Sequence, residues 1–186
     1  MPETRSLLMD QRAVERALAR MARELVERGQ GVEGLALVGI HRRGVQLADL
    51  LAAEIERAEG VRPASGTLDI TLYRDDLMAI GPRPVVGETR LPEGGINGRK
   101  VVIVDDVLYT GRTVRAALDE LADFGRPARI YLCVLVDRGG RELPIHADVV
   151  GRTIETGVDQ RVDVLVPDLD GRLAVELVGG SGPEAA

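Results

Sequence analysis

The chain has 186 residues, 45% of them hydrophobic, and a formal charge of −6 from 24 basic and 30 acidic side chains. That length supports one substantial core, so a single domain over residues 1–180 with a short tail at 181–186 is expected. The acidic balance and 2% aromatic content argue against indiscriminate nucleic-acid binding, and the lack of a long apolar run or a charged-then-apolar leader argues against a membrane span and leaves a cytoplasmic location as the expectation.

Asp10 is placed to cap a helix over residues 11–28 that stops at Gly29. Along it Val14, Ala17, Leu18, Met21 and Leu25 form an apolar stripe, while Arg12, Arg16, Arg20 and Arg23 form a basic one. A strand at 35–40 leads into Gly39-Ile40-His41-Arg42-Arg43-Gly44 and then a helix at 45–57 carrying Val45, Leu47, Ala48, Leu51 and Ile55. Arg42 and Arg43 thus stand at the carboxyl end of a strand, where a guanidinium fork matches pyrophosphate oxygens. Leu68, Ile70 and Leu72 alternate with Asp69 and Thr71, which predicts a half-exposed strand ending in Tyr73-Arg74-Asp75-Asp76. Between residues 81 and 98 stand five glycines and three prolines, too many breakers for a helix; a lid over about 73–99 that keeps water from a reactive intermediate is the functional reading, and a surface insertion without a role the bland one.

The densest chemical signal lies at residues 101–113. Val101, Val102, Ile103 and Val104 form an unbroken β-branched run, suited to a strand of a parallel sheet covered on both faces. Asp105 and Asp106 follow at its carboxyl end, where open α/β sheets bind ligands; paired carboxylates there can accept hydrogen bonds from vicinal hydroxyls or hold hydrated Mg2+. Val107, Leu108 and Tyr109 then lead into Thr110-Gly111-Arg112-Thr113, which opens a helix to Phe124, so backbone N–H groups converge where a phosphate would lie. Taken apart, these residues are a strand, a polar turn and a cap; in this order they form a ribose-phosphate site.

Residues 129–136 predict another buried strand, in which the lone Cys133 is core filler, and Asp137 to Ile145 form its polar exit loop. Shorter strands are expected at 148–151, 161–166 and 172–178, with a hairpin turn at 168–171.

The 105–113 string resembles the signature of the type I phosphoribosyltransferases, which bind 5-phosphoribosyl-1-pyrophosphate (PRPP). Together with His41-Arg42-Arg43-Gly44, Leu68 to Leu77, and Val136-Asp137-Arg138-Gly139-Gly140-Arg141-Glu142-Leu143-Pro144-Ile145, it makes the chain similar to the PyrR family of pyrimidine-operon regulators with uracil phosphoribosyltransferase activity. The resemblance implies an α/β fold with a central, mostly parallel sheet flanked by helices, a flexible lid, and a small hood built from the N- and C-terminal segments. It implies the reaction of uracil with PRPP to give UMP and pyrophosphate, with Mg2+ held through water by Asp105 and Asp106. Asp105 and Asp106 would fix the ribose, residues 107–113 the 5′-phosphate, and His41, Arg42 and Arg43 the pyrophosphate; Tyr73 and Arg74 would close over it, and the backbone of Arg138 and Gly139 would read the base. It further implies pyrimidine-gene mRNA as a partner, with UMP or UTP as effectors, and RNA contacts from Arg20, Arg23, Arg28, Arg141 and Arg152, to which the basic stripe of the first helix adds Arg16; two such stripes brought together by self-association would concentrate positive charge, so a homodimer or higher homo-oligomer is expected. Ala19 and His146 depart from the Thr and the basic residue common in the family. Tyr109 stands where purine phosphoribosyltransferases resemble one another in an Asp, which disfavours purine salvage, the alternative reading.

Overall fold

The computed structural model describes residues 3–73 and 87–180. Five parallel strands form the central sheet, in the spatial order β3 (Ala64–Leu68), β2 (Leu35–Ile40), β4 (Lys100–Leu108), β5 (Arg129–Asp137) and β6 (Val149–Thr153). All six residues of β2 are buried, as is the 101–105 stretch of β4, which is why these strands read as continuous apolar runs. Helices α1 (Gln11–Gly29) and α2 (Arg43–Glu59) cover one face of this sheet, and α3 (Arg112–Phe124) covers the other, where Val114, Ala117 and Leu121 pack with Val38, Ile103 and Val134.

A second sheet is antiparallel and small: β1 (Arg5–Met9) lies beside β8 (Ala174–Val178), which lies beside β7 (Arg161–Leu165). A short helix, α4 (Pro167–Asp170), joins β7 to β8. The hood suggested by family resemblance therefore has a physical counterpart, closed by the first strand pairing across the last. Among the described residues no helix is long and apolar enough to cross a membrane.

Several local features differ from the sequence reading. Asp10 does cap α1, accepting from the Ala13 N–H at 2.8 Å, but the helix continues through Gly29, which is buried against Leu35, and the left-handed cap is Gln30 at φ 55°. The strand expected at 68–72 ends at Leu68: Asp69 turns its carboxylate back onto the Thr71 N–H and hydroxyl, and Thr71–Tyr73 forms a 3-10 turn. β4 does not end before its acids but runs through them to Leu108. The turn expected at 168–171 is a helical turn, because Gly171 at φ 73° closes onto the Pro167 carbonyl. β1 has no signal in the sequence, because its five residues carry no periodicity that distinguishes a strand from a loop. Of the segment expected as a lid, 74–86 lies outside the described residues, as does the tail at 181–186. Residues 87–99 are described, and there Arg90 pairs with Thr67 in an antiparallel bridge while Ile96 enters the core.

Candidate active site

A cleft of about 420 Å³ opens at the carboxyl edge of the parallel sheet. Its walls come from the exits of three neighbouring strands: Ile40 at the end of β2 with His41, Arg42 and the first residue of α2, Arg43; Asp69, Ile70 and Thr71 after β3; and Asp105, Asp106 and Val107 in β4, with Thr113 from the first turn of α3. A larger concavity, about 850 Å³, lies between α1, α2 and the 167–173 segment; it is more open, and its acids Glu15 and Glu54 come from separate helices rather than from adjacent positions at a strand end, so the chemistry belongs to the smaller cleft.

Close backbone approach builds this cleft. A Cβ on Gly44 would come within 2.5 Å of the Val104 carbonyl, and one on Gly39 within 2.5 Å of the Gly44 carbonyl. Both glycines therefore let the first turn of α2 press against β2 and β4, which brings the Arg42-Arg43 loop beside the acids. The peptide between His41 and Arg42 is cis.

Asp105 is 7% exposed, whereas Asp106 is half-buried. Burial, then the charge of Asp106 and a hydrogen bond with its side chain, pushes the Asp105 carboxyl well above the usual carboxylate range. Its Oδ1 accepts the Asp106 N–H at 2.9 Å, and Asp106 Oδ1 accepts the Val107 N–H at 2.8 Å. Two hard oxygen donors beside an open, polar cleft suit a Mg2+ ion that keeps most of its water shell, so the donor set fits the ion the sequence suggests.

Arg42 is exposed on the rim, and His41 Nε2 lies 2.9 Å from the Glu88 carbonyl. Arg43 reaches across to the hood, where its Nη2 donates to Asp170 Oδ1 at 2.8 Å; Asp170 also accepts the Val166 N–H, so this ion pair ties the arginine loop to α4. At the phosphate turn Gly111 adopts φ 94° and starts α3 without a side-chain cap. The Arg112 Nε donates to Glu142 at 2.7 Å, away from the cleft, while Thr113 faces it. Tyr73 is anchored below the rim, its hydroxyl donating to Asp123 on α3 at 2.9 Å, and Arg74 lies outside the described residues.

At the exit of β5 the Arg138 guanidinium stacks 3.8 Å over the Tyr109 ring and bonds Thr156 and the Gln160 carbonyl. The Arg138 N–H donates to Leu108, and the Gly139 N–H to Asp137 Oδ1. Gly140, at φ 77°, passes the other part of the same ring so closely that a Cβ would lie 2.2 Å from it. Cys133 is buried in β5 and desolvation pushes its thiol up, which agrees with a packing role.

Residues 5–169 match the family model of the phosphoribosyl transferase domain. A bifunctional protein PyrR from Thermus aquaticus is 58% identical over 170 residues, which span 91% of this chain and 93% of that protein. The chain belongs to the PyrR family. A second PyrR, from Deinococcus radiodurans, is 49% identical over 177 residues, spanning 95% of this chain and 96% of its own. Among solved structures, a hypoxanthine phosphoribosyltransferase from Trypanosoma cruzi superposes with a TM-score of 0.71 at 22% identity, covering 96% of this chain and 95% of that one; the likeness is one of fold. The architecture of this PyrR-family chain is thus the type I phosphoribosyltransferase fold, with a wholly parallel central sheet.

The arginines of the PyrR-family α1 stripe separate in three dimensions. Arg20 donates to the Val150 and Gly151 carbonyls at 3.1 and 2.6 Å and to Glu24 at 2.8 Å, so it fastens α1 to β6. Arg152 bonds the Leu8 carbonyl, and Arg141 bonds Ile145, Tyr109 and Asp137. Arg16, Arg23 and Arg28 are exposed, and Arg16 lines the large concavity beside Arg12. Helical spacing singles out Arg16, Arg20 and Arg23, and family resemblance adds Arg28, Arg141 and Arg152; neither shows that Arg20, Arg141 and Arg152 also hold the fold together.

Proposed function

We infer that the protein regulates pyrimidine biosynthetic gene expression as an RNA-binding protein responsive to uridine nucleotides and transfers the phosphoribosyl group of PRPP to uracil, giving UMP and pyrophosphate. The observation that carries the enzymatic half is the Asp105–Asp106 pair in β4, set between the Arg42-Arg43 loop and the anion-receptive start of α3 in one cleft. PRPP carries phosphate at both ends of a ribose, and this order of cation, acid and helix N-terminus matches it.

In such a transfer C1 of the ribose becomes oxocarbenium-like as pyrophosphate departs, so the protein's task is positioning and electrostatics. Asp106, the more exposed acid, would accept from the ribose hydroxyls and set its negative charge where positive charge develops, while Asp105 beneath it, accepting the Asp106 N–H, would hold that acid in place. The 107–113 turn would hold the 5′-phosphate, and His41, Arg42 and Arg43 the pyrophosphate, with Arg43 exchanging Asp170 for the anion. A Mg2+ ion held by the acids through water would neutralise pyrophosphate charge. Tyr73 and Arg74 would close the site. With the Arg138 and Gly139 N–H groups already bonded, their carbonyls are left to accept from a pyrimidine ring N–H. Tyr109, held between Arg138 and Gly140, would occupy the side of the base site that a purine needs.

For the regulatory half, Arg16, Arg23 and Arg28 present exposed charge beside Arg20, and family resemblance adds Arg141 and Arg152; a homodimer or larger assembly would juxtapose two such sets. Incubation with PRPP, Mg2+ and, separately, uracil, hypoxanthine, guanine and orotate tests the reading. UMP from uracil alone is expected; IMP or GMP instead would establish the purine alternative.

A further inference from the structure

Glu120 is a carboxylate in the wrong place for a helix that covers a sheet: it lies in α3, 2% exposed, among the packed face that also presents Val114, Ala117 and Leu121. Its Oε2 is the buried side-chain oxygen that lacks a partner among the described residues. Its other oxygen, Oε1, accepts from the Thr89 hydroxyl, and the same hydroxyl oxygen accepts the Asp69 backbone N–H at 3.0 Å. A continuous hydrogen-bonded path therefore runs from the interior of α3, through Thr89, to the residue that begins the Asp69-Ile70-Thr71 wall of the cleft. Thr89 sits in a strap laid along the exit of β3. Gly87 donates to Asp69 Oδ2, the Glu88 carbonyl accepts from the Thr67 hydroxyl at 2.8 Å and lies 2.9 Å from His41 Nε2, and Arg90 pairs with Thr67. A Cβ on Gly87 would come within 2.9 Å of Asp69 Oδ2, so the strap lies flat against the wall.

We propose that Glu120 is a positioning residue for the cleft: through the Thr89 hydroxyl it fixes the 87–90 strap against Asp69, and so holds in place the wall on which the ribose-phosphate substrate seats, without touching substrate itself. This rests on the PRPP-dependent reading of the cleft. A buried carboxyl can anchor a hydroxyl in this way while it keeps its proton, and the surroundings favour that state. Burial raises its pKa most, and Asp69 across the strap and Asp123 on its own helix raise it further; Thr89 and the facing His41 oppose the shift, and the Tyr73 hydroxyl points to Asp123. Ionisation would place an incompletely partnered charge beneath the strap and loosen it.

The test is steady-state kinetics on Glu120→Ala, Glu120→Gln and Thr89→Val, with PRPP binding to each followed by calorimetry. Glu120→Ala and Thr89→Val should raise KM for PRPP about tenfold while kcat changes less than about twofold, since ground-state seating is lost and the acids are untouched. Glu120→Gln, whose amide oxygen still accepts from Thr89, should stay near wild type at neutral pH. As pH rises through the raised pKa of Glu120, the wild-type KM for PRPP should rise relative to that of Glu120→Gln. An unchanged PRPP affinity in both Glu120→Ala and Thr89→Val would overturn the proposal, as would a Glu120→Gln variant as impaired as Glu120→Ala. Should Glu120→Ala fail to fold, Thr89→Val, which removes one surface-strap hydroxyl, decides alone. Failure of the wild-type protein to bind PRPP would instead refute the reading of the cleft on which the proposal rests.

Discussion

Replacing Asp105 by asparagine should remove activity and at the same time raise stability. The wild-type carboxyl is buried, faces the charge of Asp106 and holds its proton more tightly than it would in the unfolded chain. Because the folded pKa is raised, its contribution to stability is complete below the unfolded value and declines as pH rises through the folded one. Asparagine keeps the carbonyl oxygen that accepts the Asp106 N–H at 2.9 Å and offers its NH2 to the Asp106 carboxylate, so the substitution removes charge and desolvation without opening a cavity. Relief of this kind amounts to about 1 kcal/mol, or a Tm higher by roughly 2–4 °C in a domain of this size. UMP formation should fall by about a hundredfold or more through loss of the acid pair that positions the ribose. Thermal unfolding at acidic and at mildly alkaline pH, paired with a UMP assay, checks both halves: the gain should be small near pH 4 and grow toward pH 8. A variant less stable than wild type at pH 8, or one stabilised equally at both pH values, would refute the account of Asp105.

Gly44→Ala should destabilise the fold by about 1–3 kcal/mol and abolish PRPP binding, because its Cβ would meet the Val104 carbonyl at 2.5 Å; urea unfolding measures the first and calorimetry the second. Asp170→Ala should leave Arg43 without its partner and the Val166 N–H without its acceptor, lowering Tm by the equivalent of about 1 kcal/mol; tighter pyrophosphate inhibition in this variant would show that Asp170 and the anion compete for Arg43. Arg16→Ala with Arg23→Ala should weaken RNA binding and flatten its salt dependence without changing Tm or uracil transfer, whereas Arg20→Ala should also lower Tm because it unfastens α1 from Val150 and Gly151. Gly140→Ala should displace the Tyr109 ring and weaken discrimination against hypoxanthine, read from the ratio of kcat/KM values for uracil and hypoxanthine.

Residues whose meaning depends on order along the chain were legible before the fold was known. The apolar run 101–104, the two acids after it and the Thr-Gly turn into a helix specify a strand, a ligand edge and an anion site, because strand burial and helix N-termini impose local patterns. The same holds for β2 and for the capping role of Asp10. Tertiary structure decided what depends on partners distant in sequence. That Arg43 pairs with Asp170, that Arg20 and Arg152 bond carbonyls of β6 and β1, and that β1 closes the hood against β8 could not be read from spacing, since each contact joins segments more than a hundred residues apart. Glu120 shows the difference most clearly. In the sequence it is one more acid on an amphipathic helix, and only the packing of α3 under the Thr89 strap buries it, leaves one oxygen without a partner among the described residues and links the other to the cleft. Local order along the chain sets which groups a site contains; the burial and distant contacts of the folded chain set which of those groups are charged, engaged or poised to act.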